Sequence, residues 1–124
     1  IAQGGANAAA VAKKLKAARL AFIDVVEFIV ANGRSNPNAA FAGSVPYLML
    51  AGNLMAGWQL ARALLVAEAA LASGDCGDFG PTFMQAKITT ARFYADHILT
   101  RAPGVRDAIV EGAGSVTELP LEAF

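Results

Sequence analysis

The chain has 124 residues, of which 56% are hydrophobic and 16% are charged, whereas about a quarter of the residues of an average soluble domain are charged. Ten basic and ten acidic residues cancel, and no basic stripe with interleaved aromatic residues occurs, so the electrostatic footprint of a nucleic-acid-binding protein is missing. The length suits a single domain with one core, residues 1–124. The apolar excess indicates a membrane protein, a subunit of an oligomer or a domain of a larger protein.

Two further features bear on the origin of the chain. Cys76 is the single cysteine and has no partner for an intrachain disulfide, so we expect a reducing compartment, the cytoplasm. The sequence begins at Ile1, without an initiator methionine and without the basic, apolar and small-residue order of a signal peptide. We therefore expect a fragment of a longer product, although a processed N-terminus would give the same start.

The first predicted helix covers about residues 5–32. Apolar side chains recur at steps of three and four residues between Val11 and Ile29, which predicts an amphipathic helix. In its second half only Asp24 and Glu27 are polar. Most sides of this helix therefore need cover from neighbouring elements.

Turn-forming residues follow this helix. Gly33 is expected to end it as a cap in the left-handed conformation. Asn36, Pro37 and Asn38 come next, and because proline fixes its own φ and asparagine tolerates turn conformations, residues 34–43 are predicted to form a loop.

The second predicted helix, residues 44–72, is apolar on nearly all sides, which places it in an interior. Ser44 is expected to cap it through its hydroxyl group, and Pro46 fits its first turn. Gly52 and Gly57 each cost up to roughly 1 kcal/mol relative to alanine in a helix. We interpret them as positions where a neighbouring backbone approaches closely.

A loop rich in glycine and aspartate, residues 73–80, leads to the third predicted helix, residues 81–101. Arg92 and Asp96 lie four residues apart and are expected to pair on its exposed side. Apolar residues keep helical spacing in the tail, residues 102–124, which predicts one or two short helices there.

These elements predict an all-α fold, an antiparallel up-down bundle of three long helices and a shorter, irregular fourth, because each connection is too short for a long crossover. The core is expected to draw on all three long helices, with Phe22, Val26, Ile29, Leu48, Leu54, Trp58, Leu65, Ile88, Ala91, Ala95 and Ile98. If Trp58 is buried, its replacement by alanine should cost about 3–5 kcal/mol.

Residue types that often perform catalysis are scarce. His97 is the single histidine, and neighbouring helical residues point in different directions, so Asp96 does not orient it as a general base. We interpret His97 as a helix-end residue. Cys76 has the acidic neighbours Asp75 and Asp78 and no basic residue nearby in sequence, so we interpret it as an unreactive free thiol.

Patterns typical of metal and nucleotide sites are also missing from the sequence. One cysteine and one histidine fall short of any zinc pattern. Asp75 and Asp78 lack the alternating ligands and the terminal glutamate of the helix-loop-helix calcium motif. Gly74, Gly77 and Gly80 have neither the spacing nor the preceding strand of a dinucleotide fingerprint. The sequence predicts no catalytic, cofactor-binding or metal-binding residue.

Charged residues on the predicted helices are interpreted as solvated or interfacial. Asp24, Glu27 and Glu68 lack the Glu-x-x-His motifs of di-iron bundles, and Glu68 and Arg62 are taken as a pair of solvated or interfacial charges. The basic run at residues 13–19 is most simply a solvated face, with an acidic neighbour as the alternative.

Several short patterns, each weak alone, together give the chain a resemblance to a known family. In chain order they are Ser44-Val45-Pro46-Tyr47-Leu48 leading into Gly52, Gly57-Trp58, Arg62-Ala63, Phe83 with Lys87, and Thr90-Ala91-Arg92-Phe93-Tyr94. Their order and spacing over residues 8–124 resemble the extra C-terminal helical domain of one branch of the acyl-CoA dehydrogenases.

This resemblance implies a parent flavoprotein, an oxidoreductase of fatty acid metabolism that removes hydrogens from the α and β carbons of an acyl-CoA thioester. FAD takes the hydride in such an enzyme, and a glutamate acts as the base. The parts that hold FAD, substrate and base have no counterpart in this sequence, so no catalytic residue carries over and we expect no dehydrogenase activity from the chain alone. Its implied partners are the remainder of the parent chain and a second subunit of a homo-oligomer.

Two other functions are considered. The chain could be a stand-alone helical interaction module whose apolar faces bind a partner helix. It could also be a membrane protein, because residues 45–72 are long enough to span a bilayer at about 1.5 Å per residue. Arg62 and Glu68 argue against a span, since a charge at its centre costs roughly 2.5–3.5 kcal/mol. We therefore expect neither a membrane nor a nucleic acid as a partner.

Overall fold

A computed structural model describes residues 5–124, and within them all regular secondary structure is helical. Ile1, at which the sequence begins, lies outside the described residues. The α-helices are α1 (Ala6–Asn32), α2 (Pro37–Ala42), α3 (Ser44–Ser73), α4 (Gly80–His97) and α5 (Ala102–Val110). Short 3-10 turns cover Gly77–Phe79, Leu99–Arg101, Gly114–Val116 and Leu121–Ala123. The predicted all-α class is confirmed.

The connection between α1 and α3 differs from the predicted loop because it contains the short helix α2. The Asn36 side chain accepts a hydrogen bond from the backbone N–H of Ala39 at 3.4 Å, and Pro37 occupies the first turn. An asparagine cap followed by proline is a start signal for a helix as well as for a turn. The predicted loop followed from the turn preference of these residues alone.

The third long helix is shorter than predicted. Helix α4 ends at His97, and the backbone turns at Ile98 with φ −107° and ψ −58° before a 3-10 turn leads into α5. Pro103 lies in the first turn of α5, where a missing N–H is tolerated. Pro103 therefore lies at the start of a further helix.

Two predicted helix caps are also wrong. Gly33 has φ −56°, which is right-handed, and its N–H continues the helical pattern by donating to Ile29 O at 2.9 Å. The hydroxyl of Ser44 makes no capping bond, since Gly43 takes the cap position of α3. Gly43 is required by space, because a Cβ there would lie 2.7 Å from Ile109 Cγ2 of α5.

Contacts between α1 and α3 join the start of one helix to the end of the other, as in an antiparallel pair. The Gly5 N–H donates to Glu68 Oε2 at 3.0 Å near the start of α1. Further along, the rings of Phe22 and Tyr47 stack with centroids 5.6 Å apart, near the start of α3. Helix α4 packs on both α3 and α1, and α5 packs on α1.

Small side chains dominate the contact between the helices. Ala18, Ala67 and Ala95 are at most 1% exposed, and the largest fully buried side chains include Leu64 and Leu99. Small residues let helix axes approach closely, so a few larger side chains fill the remaining core space.

The predicted core is correct in part. Ile88, Ala91 and Ala95 are buried, and four more of the predicted residues are partly buried and pack against the core: Phe22, Ile29, Leu54 and Leu65. Val26 and Ile98 are partly buried, and their place in the core stays a prediction. Leu48 and Trp58 were predicted wrongly, because they are 68% and 44% exposed. Apolar residues surround α3, so its sequence does not indicate which side faces the core.

Candidate functional site

His97 and Cys76, the two side chains best suited to catalysis by type, lie near opposite ends of α4. His97, at the end of α4, is exposed, and its ring lies 4.4 Å from that of Phe93. Cys76 is a buried free cysteine in the connection between α3 and α4. Within residues 5–124, no three His, Cys, Asp or Glu side chains come together as a metal site.

Two depressions on the described surface are too small for a cofactor. One lies between α1 and α3, is lined by apolar residues including Val11 and Leu64, and has a cavity volume of about 0 Å³. The other lies where Leu50 and Asn53 of α3 face Leu99 and has a cavity volume of about 10 Å³. Pockets for small ligands usually have volumes of about 300–1,000 Å³. Neither depression therefore fits a flavin dinucleotide.

The charged residues of α3 and α4 make contacts within their own helix and with the start of α1. Arg92 Nε lies 2.8 Å from Asp96 Oδ2, so the predicted pair is confirmed. Glu68 accepts a hydrogen bond from Gly5 and has no ion pair with Arg62. The Arg62 guanidinium instead lies 5.4 Å from the centre of the Trp58 ring.

Arg106 of α5 is surrounded by three carboxylates. Its Nε lies 3.3 Å from Asp24 Oδ2 of α1, and its Nη1 contacts Asp107 Oδ1 at 2.8 Å and also Glu111. The hydrogen bonds that Arg106 donates, first to Asp107 and then to Glu111, raise the pKa of Arg106 above its ordinary value. No sequence pattern indicates this cluster, because Asp24 and Arg106 are 82 residues apart.

The basic run of α1 is largely solvated. Lys14 Nζ donates to Thr100 Oγ1 at 3.0 Å, which ties α1 to the turn after α4. Lys13, Lys16 and Arg19 are exposed. This arrangement agrees with the interpretation of the run as a solvated face.

An apolar surface on α3 is the feature with the clearest capacity for binding. Large side chains on the side away from the core are exposed: Val45 by 70%, Leu48 by 68%, Met49 by 60%, Met55 by 55% and Val66 by 67%. The small residues Gly52 and Ala56 lie among them and are exposed as well. We call these seven residues the α3 face.

The α3 face is free of charge over most of its length. The first charged residue of α3 is Arg62, five turns into the helix at about 3.6 residues per turn. On the opposite side Leu50, Ala61 and Leu64 are buried against the other helices. The outer side of α3 is therefore apolar from Val45 to Ala56, and the exposed polar residues Gln59 and Arg62 separate that stretch from Val66. Within residues 5–124 only the inner side of α3 is covered.

Other apolar groups are exposed on α4 and in the tail. Phe79 and Phe83 stack at 4.7 Å between ring centroids, and Lys87 Nζ lies 4.8 Å from the centre of the Phe83 ring. Phe93 is 60% exposed and Phe124 is 93% exposed. The uncovered apolar surface thus extends beyond α3.

Helix α3 meets the length and composition criteria for a membrane span, and it is the one helix in the described part of the chain that does. A core helix of a soluble protein meets the same criteria. Only 22% of its most apolar window is buried, which agrees with the exposure of the α3 face.

Comparisons with known proteins give a consistent result. The model of the family described as acetyl-CoA dehydrogenase C-terminal like matches residues 1–120. The chain is 42% identical over 116 residues to 3-methylmercaptopropionyl-CoA dehydrogenase of Ruegeria pomeroyi, a match that covers 94% of the chain and 19% of that protein. No solved structure matches the chain significantly.

A second relative is the broad-specificity linear acyl-CoA dehydrogenase FadE5 of Mycobacterium tuberculosis. It is 38% identical over 82 residues, which covers 66% of the chain and 13% of the relative. The chain therefore spans less than a fifth of the length of either relative.

Proposed function

Since the chain belongs to the acetyl-CoA dehydrogenase C-terminal like family, we propose that it is a non-catalytic C-terminal helical domain of a longer acyl-CoA dehydrogenase-like flavoprotein. One observation carries this proposal. The match to the Ruegeria pomeroyi dehydrogenase covers 94% of the chain but only 19% of that protein. If the whole protein has a similar length, most of it lies outside this chain.

The reaction proposed for the whole protein is the FAD-dependent α,β-dehydrogenation of an acyl-CoA thioester. The names of both relatives state an acyl-CoA dehydrogenase activity, and this chemistry needs a flavin to accept a hydride and a base to remove a proton. Neither depression in residues 5–124 has the volume of a flavin site. We therefore assign flavin, thioester and base to the remainder of the parent chain.

The role proposed for these residues is packing within the parent enzyme or its homo-oligomer. The exposed apolar side chains of the α3 face support it, because interfaces that form permanently are more apolar than ordinary protein surface. The proposed compartment is the cytoplasm, since the single cysteine suits a reducing environment.

Deletion of residues 8–124 from the natural full-length protein tests this proposal. We expect the truncated enzyme to lose its native oligomeric state or to unfold at a lower temperature, as measured by light scattering and by thermal unfolding. Unchanged assembly, stability and acyl-CoA turnover would contradict the proposal.

Substitutions within the full-length enzyme separate packing from catalysis. His97→Gln and Cys76→Ser alter the two most chemically versatile side chains without removing the domain. We expect turnover per bound flavin to stay within about twofold of the parent value, because a lost catalytic acid or base costs about 10²–10⁴-fold. A loss of a hundredfold or more for either substitution would place a catalytic group in this domain.

A further inference from the structure

We infer that the α3 face is the surface by which this domain docks onto an apolar helical surface in the adjoining part of its own polypeptide. The inference rests on the proposed function and adds the docking surface, the kind of partner surface and the choice between a tethered and a separate partner.

The shape of the α3 face suits a helix as its partner. A Cβ built on Gly52 would meet nothing within 4 Å, so the space outside this position is open. Gly52 and Ala56 lie one turn apart and are flanked by the larger Met49 and Met55. Small residues between larger ones form a shallow groove, which lets the ridge of another helix approach closely.

The size of the α3 face also suits a specific interface. The exposed fractions of its large side chains correspond to an apolar surface on the order of 600 Å², and a stable interface buries about 800 Å² per partner. The small residues of the face and the neighbouring Trp58, which is 44% exposed, extend the area toward that value. Exposed patches of this size on a folded chain usually mark interaction sites.

The composition of the α3 face defines the chemistry of its partner. It offers no charge before Arg62 and presents methionine and aliphatic side chains. Burying an unpaired charge against such a surface costs several kcal/mol. The complementary surface is therefore apolar and uncharged. It differs from the acidic surface that the exposed Lys13 and Lys16 would attract.

The length of the relatives favours a tethered partner over a second copy. More than four fifths of the Ruegeria pomeroyi dehydrogenase lies outside its match to this chain. A surface on the same polypeptide has an effective concentration in the millimolar range, so it outcompetes a separate chain of equal affinity at micromolar concentration.

Cysteine labelling in the natural full-length protein tests the inference. In a Cys76→Ser background, Met49→Cys and Met55→Cys place a thiol on the α3 face. Lys16→Cys and Glu27→Cys are the matched controls, because these exposed residues lie on polar surface. The rate of maleimide labelling in native buffer is divided by the rate in denaturing urea.

We expect the two α3-face positions to label at least about tenfold more slowly, relative to urea, than the two controls. Equal ratios at all four positions would overturn the inference. Protection that disappears on dilution to concentrations at which the subunits dissociate would also overturn it, because it would assign the α3 face to a second copy.

Oxidation of the unsubstituted protein by hydrogen peroxide provides a second measurement that does not depend on the variants folding. Met49 and Met55 should resist oxidation in the full-length protein as strongly as a buried methionine, and rapid oxidation of both would overturn the inference. The mass and flavin content of the same sample test the proposed function separately. A flavoprotein with an unprotected α3 face would contradict the docking inference alone.

Discussion

Leu99 lies directly over the α-carbon of Gly57, so that a Cβ built on Gly57 would fall 2.8 Å from both Leu99 Cδ atoms. Leu99 is 2% exposed and has little room to move. This contact joins the middle of α3 to the turn between α4 and α5. The sequence indicated close approach at Gly57 and Gly52 alike, and the structure shows it at Gly57 only.

Gly57→Ala should destabilise the chain, with Gly52→Ala as the matched control. Overpacking costs about 1–3 kcal/mol, and alanine returns up to roughly 1 kcal/mol of helix propensity, so a net loss is expected at Gly57. Gly52 has open space at its Cβ position, so the same substitution should raise stability there. Urea unfolding measures both variants, and equal gains would contradict the contact with Leu99.

Trp58→Ala should cost about 1–2 kcal/mol rather than the 3–5 kcal/mol of a fully buried aromatic residue. The Trp58 side chain is 44% exposed, and the Arg62 guanidinium lies over its ring. Leu64→Ala is the control, because Leu64 is 1% exposed and its truncation should cost about 2–5 kcal/mol. If urea unfolding shows a larger loss of unfolding free energy for Trp58→Ala than for Leu64→Ala, Trp58 is a core residue and this prediction is wrong.

Tyr94→Phe should remove a bond between α4 and α3 without leaving a cavity. The Tyr94 hydroxyl donates to the backbone oxygen of Asn53 at 3.2 Å, and a hydrogen bond of this kind contributes about 0.5–1.5 kcal/mol. Thermal unfolding near pH 7 should show a loss in this range. An unchanged midpoint would mean that water replaces the contact at no cost.

The same tyrosine predicts an alkaline loss of stability. Burial raises the pKa of Tyr94 above its ordinary value of 10.0, so the folded chain favours the protonated hydroxyl. Its contribution is present below about pH 10 and is lost as the pH rises through the folded-state pKa. The free energy of unfolding should therefore fall less for Tyr94→Phe than for the parent between about pH 9 and 11, the range around the reference tyrosine pKa of about 10. Identical pH profiles would contradict this assignment.

The link between Asp24 and Arg106 should depend on salt. Asp24→Asn removes the one carboxylate of the Arg106 cluster that belongs to α1, and the pair is partly exposed. The variant should unfold at a lower temperature than the parent in low salt. The difference should shrink at about 1 M salt, where the screening length is about 3 Å. Asp107→Asn is the control, since its bond to Arg106 lies within α5, and equal effects would show that the interhelical contact adds nothing.

The sequence predicted the long helices because their apolar residues recur at the helical period, as between Val11 and Ile29. It did not show which side of α3 faces the core, since Leu48 and Leu64 are equally apolar but only Leu64 is buried. Gly57 belongs to the buried side because its lack of a side chain leaves room for Leu99 in the turn between α4 and α5. Pairings of distant residues, such as Asp24 with Arg106, follow only once the helices are packed.

The candidate surface was predicted only in outline. The apolar excess of the composition indicated that the chain has a partner, and the runs of apolar residues in α3 indicated where helical cover is needed. Periodicity could not separate the part of α3 covered by α1 and α4 from the part left exposed around Met49 and Met55. The core contacts of α3 determine that division.

The native protein can be captured from its source with an antibody against this domain, and its intact mass and visible spectrum show whether it is part of a flavoenzyme. We expect a chain several times heavier than 12.8 kDa with the absorption band of a flavin. A colourless protein of 12.8 kDa would contradict it and would favour a stand-alone helical interaction module.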